Sequence, residues 1–188
     1  MEHRQHLDKS QPRRRWCSKK GGPATEPQDH ALGRSRGGFG TKIHLLCDGN
    51  GIPLAALLTG GQAHEAPHFE HLLESVAIRR PSGHSRRRPQ QLAGDKAYHA
   101  GHIRQWLRQH GIRAVIPPKQ YQGKRRPGRP VTYDKAAYRQ RNVIERCIGW
   151  LKERRSLATR FEKLAVNYMT LVQLAFIQRY LRILAPTS

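Results

Sequence analysis

Apolar positions along the chain come in short runs separated by polar and glycine-rich breaks. Lys42-Ile43-His44-Leu45-Leu46-Cys47 and Pro53-Leu54-Ala55-Ala56-Leu57-Leu58-Thr59 are strand-like. Asp48-Gly49-Asn50-Gly51 between them supplies residues that tolerate the backbone of a tight turn, so a hairpin is predicted over residues 40–59. Phe69, Leu72, Leu73 and Val76 recur at helical spacing and predict a helix over residues 66–77. A short strand follows over residues 91–94, then a helix over 102–110 carrying Ile103, Trp106 and Leu107 and ended by Gly111. Residues 113–116 predict another strand, stopped by Pro117-Pro118. The last third is helical, over residues 135–155 and 167–184. The final helix is apolar on most sides and reads as a core helix packed on a sheet, while Gln173, Gln178 and Arg179 argue against a membrane. A strand pair followed by alternating strands and helices predicts an α/β fold, a mixed sheet covered by helices.

Charge changes the picture more than composition does. The 188 residues hold 35 Lys+Arg against 13 Asp+Glu, a formal net charge of +22, which calls for a polyanionic partner. Nucleic acid leads, ahead of an anionic membrane surface. Residues 11–20, 79–88 and 119–130 each hold five Lys/Arg and no acid, and they are rich in Pro, Gly, Ser or Gln, so they read as loops or arms. The longest apolar run is five residues, Leu54 to Leu58, which excludes a transmembrane helix. The start, MEHRQHLDKS, has no apolar stretch, so no signal peptide is expected. Cys17, Cys47 and Cys147 are odd in number and far apart, which fits neither a disulfide framework nor a spaced zinc site and suits a reducing, cytoplasmic setting.

With so few acids, each can be weighed. Asp95 directly follows the strand Gln91-Leu92-Ala93-Gly94. A carboxylate at a strand end is placed to bind a metal ion, and the same position equally begins a turn or caps the next helix. Glu145 lies in a helix where Ile144, Cys147, Ile148 and Leu151 form the apolar face. Tyr138, Arg141, Glu145 and Lys152 fall at roughly 0°, 300°, 340° and 320°, one stripe about 60° wide at the edge of that face. The plainer reading of the stripe is a solvated face with an Arg141–Glu145 pair at i,i+4. His64-Glu65-Ala66-Pro67-His68 fits the H-E-x-x-H zinc pattern. Pro67, however, is tolerated only in a first helical turn, which takes His64 off the helical face and leaves His68 and His71 as surface residues.

The spacing Tyr138-x2-Arg141-x3-Glu145-x6-Lys152 resembles the signature of the DDE transposases of bacterial insertion sequences. Asp29 to Gly38 leading into Thr41-Lys42-Ile43-His44, Gly94-Asp95-Lys96-Ala97-Tyr98 and Ile112 to Pro117 are similar to the same family, so the resemblance covers residues 29–184. It implies a ribonuclease-H-like mixed sheet flanked by helices, with two Asp and one Glu around two Mg²⁺ ions, for which Mn²⁺ can substitute. Hard cations prefer such carboxylate oxygens. Paired metals suit an in-line displacement at phosphorus. The implied metal-holding and catalytic acids are Asp8, Asp95 and Glu145, and the implied phosphate-binding residues are Tyr138, Arg141 and Lys152. Asp8, in Leu7-Asp8-Lys9-Ser10, departs from the family's pattern because Lys9 stands where a small residue is usual. Asp48 is the other candidate, explained adequately by its turn.

The resemblance further implies residues 1–38 as a basic arm with a truncated first strand, and 39–188 as the catalytic domain. It implies DNA partners (element ends and target DNA), two copies on the DNA, no membrane, and a cytoplasmic, nucleoid-associated location. Full-length relatives carry a DNA-binding region ahead of the first acid, so the chain is expected to be truncated, to bind DNA with little sequence preference and to cut poorly. The rival is a basic nucleic-acid-binding protein without catalysis, or an inactive transposase remnant.

Overall fold

The computed structural model of the chain describes residues 30–35, 38–118 and 132–185. The predicted hairpin is the centre of the fold: β2 (Gly38–Cys47) and β3 (Pro53–Gly60) pair antiparallel, from Thr41 opposite Gly60 to Leu45 opposite Ala56. Asp48 closes the turn by accepting hydrogen bonds from the Asn50 and Ile52 amides at 2.9 and 2.8 Å. Gly51 takes a φ of +79° there, and a β-carbon on it would meet the Val143 carbonyl at 3.4 Å, so turn geometry and close approach both favour glycine. A short strand that the hydropathy pattern does not announce, β1 (Gly33–Ser35), pairs with the glycine-rich start of β2.

Strand alternation divides the core into two halves. Ile43, Leu45, Ala56 and Leu58 point to one face of the hairpin and pack against Leu151, Val172 and Phe176. Leu46 points to the other face and packs against Phe69, Leu73, Ile103 and Leu107. That second half is built by α1 (Phe69–Glu74), α2 (Gly101–Gln109) and the parallel pair β6 (Gln91–Ala93) and β7 (Arg113–Val115). A single turn of 3-10 helix, Ala66–His68, with Pro67 in it, leads into α1, which stops at Glu74, three residues short of the sequence expectation. Gly111, with φ +69°, ends α2 in the predicted left-handed conformation.

The basic segment 79–88 is more ordered than the expected loop. β4 (Ile78–Arg79) and β5 (Ser85–Arg86) form a small hairpin; all of residues 77–88 are exposed, yet Ile78 and Arg86 to Arg88 line a cavity beside Leu46, Leu73 and Val76. The basic segments 11–20 and 119–130 lie outside the described residues.

The helix predicted over residues 135–155 is three helices: α3 (Lys135–Arg139), α4 (Asn142–Lys152) and α5 (Arg155–Ala158). Their packing explains the breaks. α3 lies on β7, whereas α4 lies on β2, so the chain must bend between them. The polar run Arg139-Gln140-Arg141 offers no apolar side chain to hold a straight helix across the bend. The last helix, α6 (Ala165–Leu184), starts two residues earlier than predicted and packs on β3. It buries Tyr168, Val172, Ala175 and Phe176, as a core helix should. Among the described residues no helix is long and apolar enough to cross a membrane.

One arginine ties the start of the described chain to the segment between α5 and α6. Arg160, between α5 and α6, donates to the carbonyls of His30 (2.7 Å), Lys163 (2.7 Å) and Glu162 (2.8 Å), and to the Thr41 hydroxyl, and its guanidinium lies over the Tyr168 ring. Thr41 in turn donates to the Ala31 carbonyl at 2.8 Å, which holds Ala31 at a φ of +45°, strained for a residue with a β-carbon. Replacing Arg160 by Lys keeps the charge and loses the planar fork. It is expected to lower stability by about 1–3 kcal/mol, the scale for hydrogen bonds to a charged group, read as a lower urea midpoint with unchanged slope.

Candidate active site

Asp95 stands immediately after β6, separated from it by Gly94. Its carboxylate is exposed, and one oxygen accepts from the Ala97 amide at 2.9 Å, capping the 3-10 turn Lys96–Tyr98. The capping role expected as the plain alternative is therefore present. It also fixes the side-chain rotamer and leaves the second oxygen for a cation. Tyr98, on the far side of that turn, packs its ring on Phe69 at 5.9 Å. Burial, then the charges of Asp95 and Glu65, push its phenol up to about 12, so it remains a hydrogen-bond donor across the physiological range.

The second cluster is built around the bend between α3 and α4. Asp134 caps α3 through the Ala136 and Ala137 amides, and α3 carries Tyr138. Arg141 is the N-cap residue of α4, and Glu145 lies in its first turn. Arg141 reaches Glu145 with an N–O distance of 2.5 Å and lies over the Tyr138 ring at 5.4 Å. The break at Gln140-Arg141 removes the basis of the single-helix angles used for the stripe. Arg141 still meets both Tyr138 and Glu145, because Gln140 and Arg141 keep right-handed helical backbone angles across the break. Lys152 is exposed in the last turn of α4, away from the first-turn carboxylate.

No hydrogen bond or ion pair joins Asp95 to the Tyr138–Arg141–Glu145 trio among the described residues. Nor does any group of three or more His, Cys, Asp or Glu come together there to hold a metal. Asp8 lies outside the described residues. Asp48 is committed to its turn.

A third polar group has no counterpart in the sequence reading. His44 and Lys42, two apart on β2, face the same side as Leu46. Buried His44 pairs with the Thr59 hydroxyl at 2.8 Å and packs on the His68 ring at 5.1 Å. Lys42 bridges Glu65 at 2.7 Å and the Ala63 carbonyl at 2.6 Å. His64, Glu65 and His68 thus hold no zinc geometry: Glu65 is paired with a lysine, and His68 is half-buried against His44 rather than at the surface. Polar residues alternating with Leu46 on a strand face that meets the core were the available signal.

Burial first, then the positive charges of His68 and Lys42, hold His44 below its ordinary value, against the opposing pull of Glu65. Burial alone would raise Glu65, but its bonds and charge contact with Lys42 outweigh burial and lower it. Unfolded chain therefore binds more protons at His44 below about pH 6.5, the ordinary histidine value. Stability is expected to be full above that pH and to decline as the pH falls through 6. His44→Asn should flatten the decline, measured as urea midpoints between pH 5 and pH 8.

The family described as Transposase DDE domain matches residues 14–178 of this sequence. The chain belongs to the transposase DDE domain family. The matched span takes in Asp95, Tyr138, Arg141, Glu145 and Lys152, and Asp8 precedes it. A protein of Burkholderia cepacia, provisionally named as the transposase for insertion sequence element IS402, is 35% identical over 153 residues. That alignment covers 81% of this chain and 64% of the relative, so the chain spans less than two thirds of that protein. A protein of Brucella ovis, provisionally named as the transposase for insertion sequence element IS6501, is 31% identical over 144 residues, 76% of this chain and 98% of the relative. No solved structure matches the chain.

Proposed function

We propose that the chain acts as a transposase of the DDE type, cutting and joining DNA strands with divalent metal ions, and that Asp8, Asp95 and Glu145 hold those ions. The family match across most of the chain carries this reading. The chemistry of the donor set supports it. Asp95 and Glu145 are exposed carboxylates, hard oxygen donors that suit Mg²⁺. When bound, a pair of such ions activates the attacking oxygen and stabilises the leaving one.

The chain's own residues do the positioning. The Ala97 amide holds one Asp95 oxygen, so the carboxylate is oriented before a cation arrives. Arg141 uses one nitrogen on Glu145 and rests on Tyr138, which keeps its remaining N–H donors available for a DNA phosphate. Lys152 adds a second cation on α4 for the same strand. The exposed hairpin over residues 78–86 and its neighbours Arg87 and Arg88 grip phosphates without reading sequence.

The finer fold belongs to the same reading: a ribonuclease-H-like sheet over residues 39–188, with 1–38 as a basic arm carrying the first strand. In support, β2 and β6 belong to separate sheets yet line one apolar cavity of about 60 Å³, through Leu45 and Leu46 on one side and Leu92 and Ala93 on the other. The strand expected to carry Asp8 belongs to the same proposed sheet. Two copies of the chain act together on the DNA.

Strand cleavage tests the proposal. DNA bearing an insertion-sequence end, incubated with the chain, is expected to be nicked or joined with Mg²⁺ and to stay intact with EDTA. Tight binding with no cutting under either condition would favour the rival, a binding protein without catalysis.

A further inference from the structure

α6 has two apolar faces, and among the described residues only one is packed against the rest of the chain. Its inner face buries Val172 completely, together with Tyr168, Ala175 and Phe176. On the outer face Leu174, Ile177, Leu181 and Leu184 are 55%, 51%, 59% and 80% exposed. Their spacing is three, four and three residues, the a and d positions of a heptad, which aligns them as one seam along the helix. Thr170 and Asn167 continue the seam with small polar side chains, both exposed. Exposed aliphatic side chains in a contiguous row are costly in water and mark interaction surfaces.

The flanks identify the partner. In heptad terms the seam is bordered by Gln173, Gln178, Tyr180 and Ala185, none of them charged. On a chain of net charge +22, an acidic partner helix would be met by lysine or arginine at these e and g positions. Neutral flanks are instead what a second copy of the same basic chain needs, since like charges facing each other across a helix pair are destabilising. Arg179 and Arg182 lie off the flanks, and Arg179 turns inward over the Trp150 ring at 4.7 Å.

We propose that the outer face of α6 is the dimer surface: two copies pair through Leu174, Ile177, Leu181 and Leu184, helix against helix. This rests on the two-copy reading above and names the surface for it. The seam is self-complementary, as a two-fold interface requires. A seam of one helix on one helix is expected to bury less than the standard interface of about 1,600 Å², so pairing should depend on concentration. Salt screens the repulsion between two cationic chains and leaves apolar contact intact, so added salt strengthens the dimer while it weakens DNA binding.

Sedimentation velocity of the full chain without DNA, across a range of concentrations in about 0.5 M salt, is the test. The wild-type chain is expected to shift from monomer to dimer as concentration rises. The double variants Leu174→Glu/Leu181→Glu and Leu174→Lys/Leu181→Lys should each stay monomeric, with dimerisation weakened at least about 100-fold by like charges in the seam. These positions are exposed, so both variants keep the wild-type far-UV spectrum. An equimolar mixture of the two should recover the dimer, because the opposed charges then pair. A wild-type chain that stays monomeric throughout overturns the proposal, whether or not one of the chain's own segments covers the seam. A dimer that persists in both variants also overturns it, and leaves the two-copy reading standing on another surface.

Discussion

Asp95→Asn and Glu145→Gln are each expected to abolish Mg²⁺-dependent strand cleavage while DNA binding is retained. The substitutions remove one negative charge apiece at exposed positions, so neither disturbs the core. In Asp95→Asn the carboxamide oxygen would still accept the Ala97 amide hydrogen, and the 3-10 turn after β6 would keep its cap. Glu145→Gln loses only the Arg141 ion pair, an exposed i,i+4 contact worth a few tenths of a kcal/mol. Stability should therefore change by less than about 0.5 kcal/mol in either variant. Cleavage should fall by more than about 100-fold, since changes that merely reorient a metal ligand already cost 10–100-fold. The two effects separate a metal-holding role from a structural one. Cleavage and gel-shift assays on the same preparations read both. Cleavage unaffected by both substitutions would remove these carboxylates from the site.

Leu107→Ala carries the largest expected loss of stability. Leu107 and Ile103, one turn apart on α2, are both fully buried, and they join the helix to Phe69, Leu73, Ile112 and Ile116. Truncation removes three carbons from a site walled by α1 and by the β6–β7 pair. Those walls are fixed by backbone hydrogen bonds and close only partly on the space left. The cost is expected at about 2–5 kcal/mol, the transfer loss plus the cavity left behind. Against a total of about 5–15 kcal/mol for a typical domain, that loss brings the chain close to unfolding. Equilibrium urea unfolding measures it. Leu181→Ala, on the outer face of α6, supplies the contrast: a side chain that is 59% exposed should cost well under 1 kcal/mol in dilute monomer.

Much of the fold is legible in the sequence because alternation and helical spacing act locally. The β2–β3 hairpin follows from two strand-like runs around Asp48-Gly49-Asn50-Gly51, and α2 from Ile103, Trp106 and Leu107 ahead of Gly111. The segment over 135–155 reads as one continuous helix because its apolar spacing survives the bend. What breaks it is tertiary: α3 and α4 cover different strands. The Tyr138–Arg141–Glu145 contacts follow from angles on one helix in the sequence reading, and they survive the break because the backbone stays right-handed helical through Gln140 and Arg141. Arg160 cannot be read as a tie, since its partners at His30 and Thr41 lie well over a hundred residues away and most are backbone carbonyls, which carry no sequence signature. The His44–Thr59 pair is hidden for a related reason, because strand register decides which polar residues face the core.

Asp95 and Glu145 are proposed to serve one metal site. Replacing Mg²⁺ with Fe²⁺ and adding hydrogen peroxide with ascorbate maps where hydroxyl radicals made at the bound iron cut the polypeptide, a readout independent of DNA cleavage. Cuts are predicted on both sides of Asp95 and around Glu145 together, and Asp95→Asn should suppress both sets. Iron cuts at only one of the two segments, or a pattern unchanged by Asp95→Asn, would contradict it.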